Sequence, residues 1–447
     1  MRRTRLSAAF LALGLSGCVR YAAAPPQPAK FVAEFDARKL EAAPAAKSWT
    51  GAELLSVALA NNPQIAEARA KYLASLAAMR TAKAYSGFSL TLTAEYARET
   101  PHWGYGGGSD FPLDIGTRRD VRITTAQLQA LQAFYDYGET VWSVRTDLEK
   151  ARVDFLAAGS EIQAAAESVD LRRQRARLVE QRITAGKDAR TAGLLAQGDL
   201  AAAERRLVGA KGRRQAATGD LAKALGVNPS AIGTIGVVAP EVVQPFHDLA
   251  LRRRDAALSR RDVLKAIADY DLAEQALRLE VANQYPTVSL GPGYNYDHGV
   301  TKLPFSLALA LPPMDLNRRA IARAEAARTA AGRSLELAQA NALSAVDAAA
   351  AALKTTQDDF ARARDSALPA AQKANAAAVR SVAAGETDRV DELATRGTMV
   401  DVFLDMLDAR HATGTATADL ENALRRSSDP AETALIEKAM TEVKKAR

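Results

Sequence analysis

Apolar residues recur along this chain with two periods. In 88–96 the period is two: Phe88, Leu90, Leu92, Ala94 and Tyr96 alternate with Ser89, Thr91, Thr93 and Glu95. Val288, Leu290 and Tyr294 likewise alternate with Ser289, Gly291, Gly293 and Asn295. Leu303, Phe305, Leu307, Leu309 and Leu311 alternate with Ser306, Ala308 and Ala310, while the run around Phe111, Leu113 and Ile115 is shorter and noisier. These patterns predict strands at about 88–98, 109–116, 287–296 and 303–312, because successive strand side chains point to opposite faces. Elsewhere apolar residues return every three or four positions, the helical period. Long helices are expected at 117–185, 189–225, 318–383 and 387–424, with shorter ones at 52–84 and 261–284. No proline interrupts 117–184, Gly226-Val227-Asn228-Pro229 is a helix stop, and Pro369 should kink or break the third long helix. At 1.5 Å per residue, some 65 residues reach roughly 100 Å, too long to lie on a globular core. Such helices pack side by side, and their many alanines permit close approach.

The chain also repeats itself at a spacing of about 200 residues, far longer than a solenoid repeat. Asn62-Pro63-Gln64-Ile65 and Arg261-Asp262-Val263-Leu264 open the two copies. Pro112-Leu113-Asp114-Ile115 followed by Arg118-Arg119 returns as Pro313-Met314-Asp315-Leu316 followed by Arg318-Arg319. Ala185-Gly186 returns as Ala384-Gly385. The expected fold is therefore mainly α, with two internal repeats (51–226 and 261–424), each holding a strand pair and a long helical hairpin. Segments 18–50 and 227–260 flank and join the repeats, and 425–447 is a charged tail, either a short helix or disordered.

Alternation over about nine to eleven residues marks a membrane β-strand, apolar toward lipid and polar toward water. A half-buried soluble sheet alternates in the same way. Trp103, Tyr105, Tyr294 and Tyr296 near the strand ends suit an interfacial aromatic belt. Four strands cannot close a barrel, and an open edge in lipid leaves backbone groups unpaired. A membrane reading thus requires several chains to share one transmembrane β-barrel, with Ser89, Thr91, Thr93 and Ser306 facing its lumen.

Composition narrows the function. Of 447 residues, 48% are hydrophobic, 25% charged and 6% aromatic. The net charge of +7 is partly owed to Arg2, Arg3 and Arg5, and no basic-aromatic stripe suggests nucleic acid. Those arginines, the apolar run 6–15 and Leu15-Ser16-Gly17-Cys18 read as a lipoprotein signal peptide (1–17). Cys18, the chain's one cysteine, would be acylated, palmitate included, and Val19 favours the outer membrane. No later stretch of 18 or more apolar residues could form a transmembrane helix. No catalytic constellation, metal-ligand spacing or cofactor motif is present, so an enzyme is not expected. His102, His247, His298 and His411 are scattered, and Met399 and Met406 suit helix packing.

The chain resembles the TolC-like outer-membrane efflux proteins, in particular the lipoprotein branch serving resistance-nodulation-division pumps. The stretch 309–324, Leu-Ala-Leu-Pro-Pro-Met-Asp-Leu-Asn-Arg-Arg-Ala-Ile-Ala-Arg-Ala, is similar to the family's junction between last strand and long helix, especially in members paired with metal-ion pumps. Asn61-Asn62-Pro63, Arg260-Arg261-Asp262 and Leu225-Gly226 are similar to its half-repeat boundaries. The resemblance implies a homotrimer with a twelve-stranded barrel continued by a periplasmic α-helical barrel, with a mixed equatorial belt near 227–260. It implies a periplasmic adaptor and an inner-membrane pump as partners, and passive export of small molecules or metal ions. Gly186 and Gly385 would then turn the periplasmic tips. Asp391, with Asp388 and Glu392, would ring the pore, and Lys187 and Arg190 would pair with those acids or contact the adaptor. Two departures stand out: Ala394 replaces a second gate acid, and the second half ends Ala423-Leu424-Arg425-Arg426 rather than Leu-Gly. The rival readings are a poreless structural or adhesive lipoprotein with a periplasm-spanning coiled coil, and a secreted enzyme on a helical scaffold.

Overall fold

A computed structural model describes residues 21–445 except 39, 41–47, 86, 99, 114–115, 233–234, 240–247 and 298. Helix α1 (Pro28–Ala37) precedes α2 (Gly51–Asn61) and α3 (Pro63–Ala82). Strands β1 (Ser89–Tyr96) and β2 (Trp103–Leu113) lead into the hairpin of α4 (Arg118–Thr184) and α5 (Arg190–Leu225). The second copy holds α6 (Leu249–Ser259), α7 (Arg261–Ala282), β3 (Thr287–Asp297), β4 (Val300–Lys302), β5 (Phe305–Ala310), α8 (Arg318–Arg362), α9 (Leu368–Ala383) and α10 (Arg389–Leu424). Helix α11 (Pro430–Lys445) ends the described chain. Among the described residues no helix is long and apolar enough to cross a membrane.

Local signals explain the boundaries. Thr50 and Glu53 form a reciprocal cap at the start of α2. Asn62 accepts from the Gln64 amide at 2.8 Å, and Pro63 follows it at the first helical position of α3. Helix α4 runs unbroken for 67 residues. Its counterpart in the second repeat widens into a π-turn at Ala363–Ala367, just before Pro369, which has no N–H to donate and crowds the preceding turn.

The two copies solve the same corners with different residues. The carbonyl of Ala224, at the end of α5, accepts from Asn62 Nδ2 at 2.8 Å. The equivalent Ala423 carbonyl accepts from Arg260 Nη1 at 3.0 Å. Gly226 ends α5 in the left-handed conformation, φ 69°, and Arg425 ends α10 likewise at φ 50°. Before the long helices, Gly116 has φ 84° and Leu316 φ 51°. A side chain in that region costs roughly 1–2 kcal/mol that glycine avoids. A Cβ at Gly226 would collide with the Asn61 carbonyl, so the first copy has no such freedom.

The largest core gathers Leu54, Leu55, Tyr72, Val141, Trp142, Leu221, Leu225 and Ile436 from α2, α3, α4, α5 and α11. Smaller clusters continue along the helical seams: Val346, Leu353, Leu420 and Leu424 in one, Leu171, Leu393, Val400 and Leu404 in another. Within the tail, residues 430–445 are thus helical and packed, since α11 inserts Ile436, Met440 and Val443 into the main core. Arg38, after α1, donates to the Asn61 and Gly226 carbonyls at 2.9 and 3.0 Å, closing two helix ends. Trp49 and Val237 form a parallel bridge where the segments 18–50 and 227–260 meet.

Two strand expectations need correction. The second strand begins at Trp103, not about 109, so the glycine-rich run 104–108 ahead of the expected strand lies inside the sheet. Its glycines fit because β2 has neighbours on both sides, whose side chains cover it: a Cβ at Gly106 would lie 2.9 Å from both Thr93 Oγ1 and Asn295 Oδ1. The fourth expected strand is divided, β4 and β5 each pairing with β3, and Leu303-Pro304 lies between them. Proline has no N–H for a ladder.

Candidate pore-lining sheet and helical tips

Cα partners across an antiparallel ladder share a face, so the register assigns every side chain a side. One face carries Leu90, Leu92, Ala94 and Tyr96 opposite Ser109, Gly107, Tyr105 and Trp103. It continues through Tyr296, Tyr294, Leu290 and Val288 of β3 to Leu307 and Leu309 of β5. This apolar face is exposed, Leu92 at 76% and Leu309 at 54%. Its aromatics cluster toward both ends. Tyr96 meets Trp103 at 5.1 Å and Tyr105 meets Tyr296 at 4.9 Å near one end, and Phe88 stacks on Phe111 at 5.2 Å near the other.

The opposite face carries Ser89, Thr91, Thr93 and Glu95, then Asp110, Gly108, Gly106 and Gly104. Gly293 and Asn295 follow on β3, then Ser306 and Ala308 beside Gly291 and Ser289. All four residues read from the sequence as lumenal, Ser89, Thr91, Thr93 and Ser306, fall on this small, polar face. Gly291 and Gly293 of β3 fall on the side that their alternation with Val288, Leu290 and Tyr294 predicts, whereas the glycines of β2 escaped sequence reading because they carry no alternation signal of their own. The sheet order is β1-β2-β3 with β4 and β5 both on β3, so among the described residues the outer edges of β1 and of β4 and β5 are unpaired.

The tips of the helical hairpins are built alike. Gly186 and Gly385 take φ 70° and 74°. The Lys187 amide reaches the Arg182 carbonyl at 2.8 Å, and the Glu386 amide reaches that of Ser381 at 2.9 Å. This six-to-one closure needs a residue free to turn left-handed. Asp388 then caps α10, accepting from the Val390 amide at 2.8 Å.

The structure separates the three acids expected at the gate. Asp391 is exposed, and its carboxylate has no ion-pair partner among the described residues. Asp388 is tied to Arg182 of the first hairpin. Glu392 is turned inward, 6% exposed, and paired with Arg389 at 2.6 Å, because it shares the packed side of α10 with Leu393. Lys187 and Arg190 are exposed, and neither pairs with those acids among the described residues. Arg182 takes that role, bridging Asp188 at 2.9 Å and Asp388 across the two hairpins. Sequence reading missed it because its partners come from different repeats. His411 contacts Asp154 at 2.5 Å, linking α10 to α4. Among the described residues no cluster of His, Cys, Asp and Glu could hold a metal ion.

Residues 54–227 and 253–425 match the family described as outer membrane efflux protein. The chain belongs to that family. Each matched segment covers one of the two repeats described above. This efflux protein shares its fold with solved channels at low identity. A membrane protein from Pseudomonas aeruginosa superposes with a TM-score of 0.72 at 19% identity, covering 86% of this chain and 95% of its own. VceC from Vibrio cholerae gives 0.69 at 17%, covering 85% and 97%. MtrE from Neisseria gonorrhoeae, solved in an open state, gives 0.67 at 16%, covering 84% and 89%. No curated protein matches this efflux protein in sequence. Family membership makes it an outer-membrane channel with a large periplasmic helical part, the exit duct of an efflux system rather than an enzyme.

Proposed function

We propose that this efflux protein works as a homotrimer in which three four-stranded sheets close one twelve-stranded barrel, and the helical hairpins continue the conduit through the periplasm. The observation that carries the reading is an amphipathic sheet with two unpaired edges, β1 and β5. In lipid each unpaired amide or carbonyl costs several kcal/mol, which pairing with a copy of the chain removes. CusC, whose fold this chain shares, undergoes conformational changes that accompany folding and transmembrane channel formation. A periplasmic adaptor would dock at the tips near Gly186, Lys187, Arg190 and Gly385, and an inner-membrane pump would supply the cargo, a small molecule or metal ion. Asp391 would line the periplasmic constriction, where converging carboxylates favour cations. Cys18, outside the described residues, would carry the lipid that adds a second hold on the outer membrane.

Reconstitution into planar bilayers tests the duct, with stepwise conductance the expected result. Cysteine pairs placed across the two edges, Thr91 against Ser306, Ala308 or Ala310, should cross-link neighbouring protomers in one register. A well-folded oligomer that conducts nothing would favour a poreless periplasmic spacer.

A further inference from the structure

The two copies place arginines at the same boundary, directly below the apolar sheet face, and use them differently. In the first copy they are spent within the chain. Arg118 donates to the Ala282 and Tyr285 carbonyls at 2.9 and 2.6 Å. Arg119 donates to the Lys83 carbonyl at 3.1 Å and lies 4.7 Å over the Tyr85 ring. Arg122 donates to the Ala82 and Ala84 carbonyls, both at 3.2 Å. These contacts close the ends of α3 and α7.

In the second copy a different side chain does that work. Asn317 Nδ2 donates to the Glu280 carbonyl at 2.8 Å and to its carboxylate at 2.7 Å. Arg318, Arg319 and Arg323 are all left exposed or half-exposed. Arg319 is 95% exposed, with only a distant contact to Asp315 at 4.0 Å. Among the described residues the side chains of Arg318 and Arg323 have no partner. Three exposed cations therefore lie within six residues, and Asp315 is the one acid that an ion pair joins to them among the described residues.

Apolar residues sit beside them. Leu311 is 79% exposed, Met314 is fully exposed and Leu316 is 49% exposed. Leu311 continues the alternation of Leu307 and Leu309 one step past β5, and Met314 and Leu316 follow in the turn that opens α8. Leu316 is also left-handed where the first copy has Gly116. A leucine at this φ carries a strain that glycine avoids, and half of its side chain is left to solvent.

We infer that Leu311, Met314, Leu316, Arg318, Arg319 and Arg323 form a binding surface for anionic phospholipid headgroups of the periplasm-facing leaflet. The apolar residues enter the acyl boundary, and the arginines stand at headgroup depth and take the phosphates. Charge complementarity and continuity with the apolar sheet face select this occupant. The inference rests on the membrane reading of the sheet, and its test measures lipid rather than conductance, so the two can fail separately.

The full-length oligomer in mild detergent is offered phosphatidylglycerol and phosphatidylcholine in equal amounts, and retained lipid is counted by native mass spectrometry. Phosphatidylglycerol should be preferred about tenfold, as three cations at an anionic surface allow. Arg318→Gln, Arg319→Gln and Arg323→Gln together should bring the ratio to about one, as should salt near 1 M, which shortens screening to about 3 Å. Leu316→Gly should keep the oligomer and the preference while lowering total lipid retained; unchanged retention removes the apolar part of the surface. Parity in the wild type, or an unchanged ratio in the triple variant, overturns the inference. So does dissociation of the triple variant's oligomer, which would place these arginines at a contact between protomers.

Discussion

Arg145 is 3% exposed and lies between Glu421 at 2.6 Å and Glu432 at 2.7 Å. Its Nη2 also donates to the Ser427 hydroxyl at 3.0 Å. Burial opposes its charge, but Glu421, Glu432 and Glu149 outweigh burial, so its pKa is raised. Glu149 pairs with Arg152 at 2.8 Å, yet burial holds its pKa above the usual carboxylate range despite Arg152 and Arg145. Three carboxylates thus meet two guanidiniums, and Gly51 leaves room for them: a Cβ there would lie 2.7 Å from Glu432 Oε1. Arg145→Met strands two buried carboxylates and should cost about 3–5 kcal/mol, read by thermal unfolding, with α11 first to be clipped in limited proteolysis. Glu149→Gln acts the other way. Because the folded-state pKa is raised, the wild type loses stability as pH climbs through it. The glutamine variant should therefore melt higher at neutral pH, by on the order of 1 kcal/mol, and lose that gain at pH values below the ordinary glutamate pKa of about 4.3. An equal gain at both pH values would exclude titration of Glu149 as the cause. None of this was legible in the sequence, because residues 145–152 meet 421–432 only after the two repeats pack.

At the scale of elements, the turns were the most legible part. Ala-Gly marked both tips, because a six-to-one helix closure needs a residue at positive φ, and Gly186 and Gly385 supply it. Gly226→Ala should destabilise by more than about 1 kcal/mol on thermal unfolding, since it adds a Cβ both at positive φ and against the Asn61 carbonyl. The tip bridge was illegible for the opposite reason: Arg182 is one of many charged residues on a solvated face until Asp388 arrives from the other hairpin. Arg182→Ala should loosen the hairpins from one another and raise single-channel conductance. Unchanged conductance with unchanged melting would leave the bridge no part in closure. Pro369 announced a distortion correctly, but its form, a π-turn just upstream, depends on how the backbone re-satisfies its carbonyls.

For the whole molecule, the period-two runs gave the strands and the long stretches of helical period gave the hairpins, since both patterns follow from backbone geometry alone. The glycine-rich run 104–108 hid the start of β2, because four glycines around Tyr105 leave no alternation to read. Which residues share the apolar face follows from the register, which joins Leu92 to Gly107 and on to Tyr294. Cys18 belongs to this scale too, as an anchor outside the described residues. Cys18→Ser should abolish incorporation of labelled palmitate and leave the leader uncleaved; continued labelling would end the lipoprotein reading.

The glycine column has a further effect. Gly104, Gly106 and Gly108 on β2 project nothing of their own from the polar face, and Thr93 and Asn295 lean over Gly106 from the strands on either side. In a ring built from copies of this chain, each copy would contribute one strip bordered by short hydroxyl and amide groups instead of long side chains. A bulky solute sliding outward would meet a low, hydrogen-bonding wall along these strips.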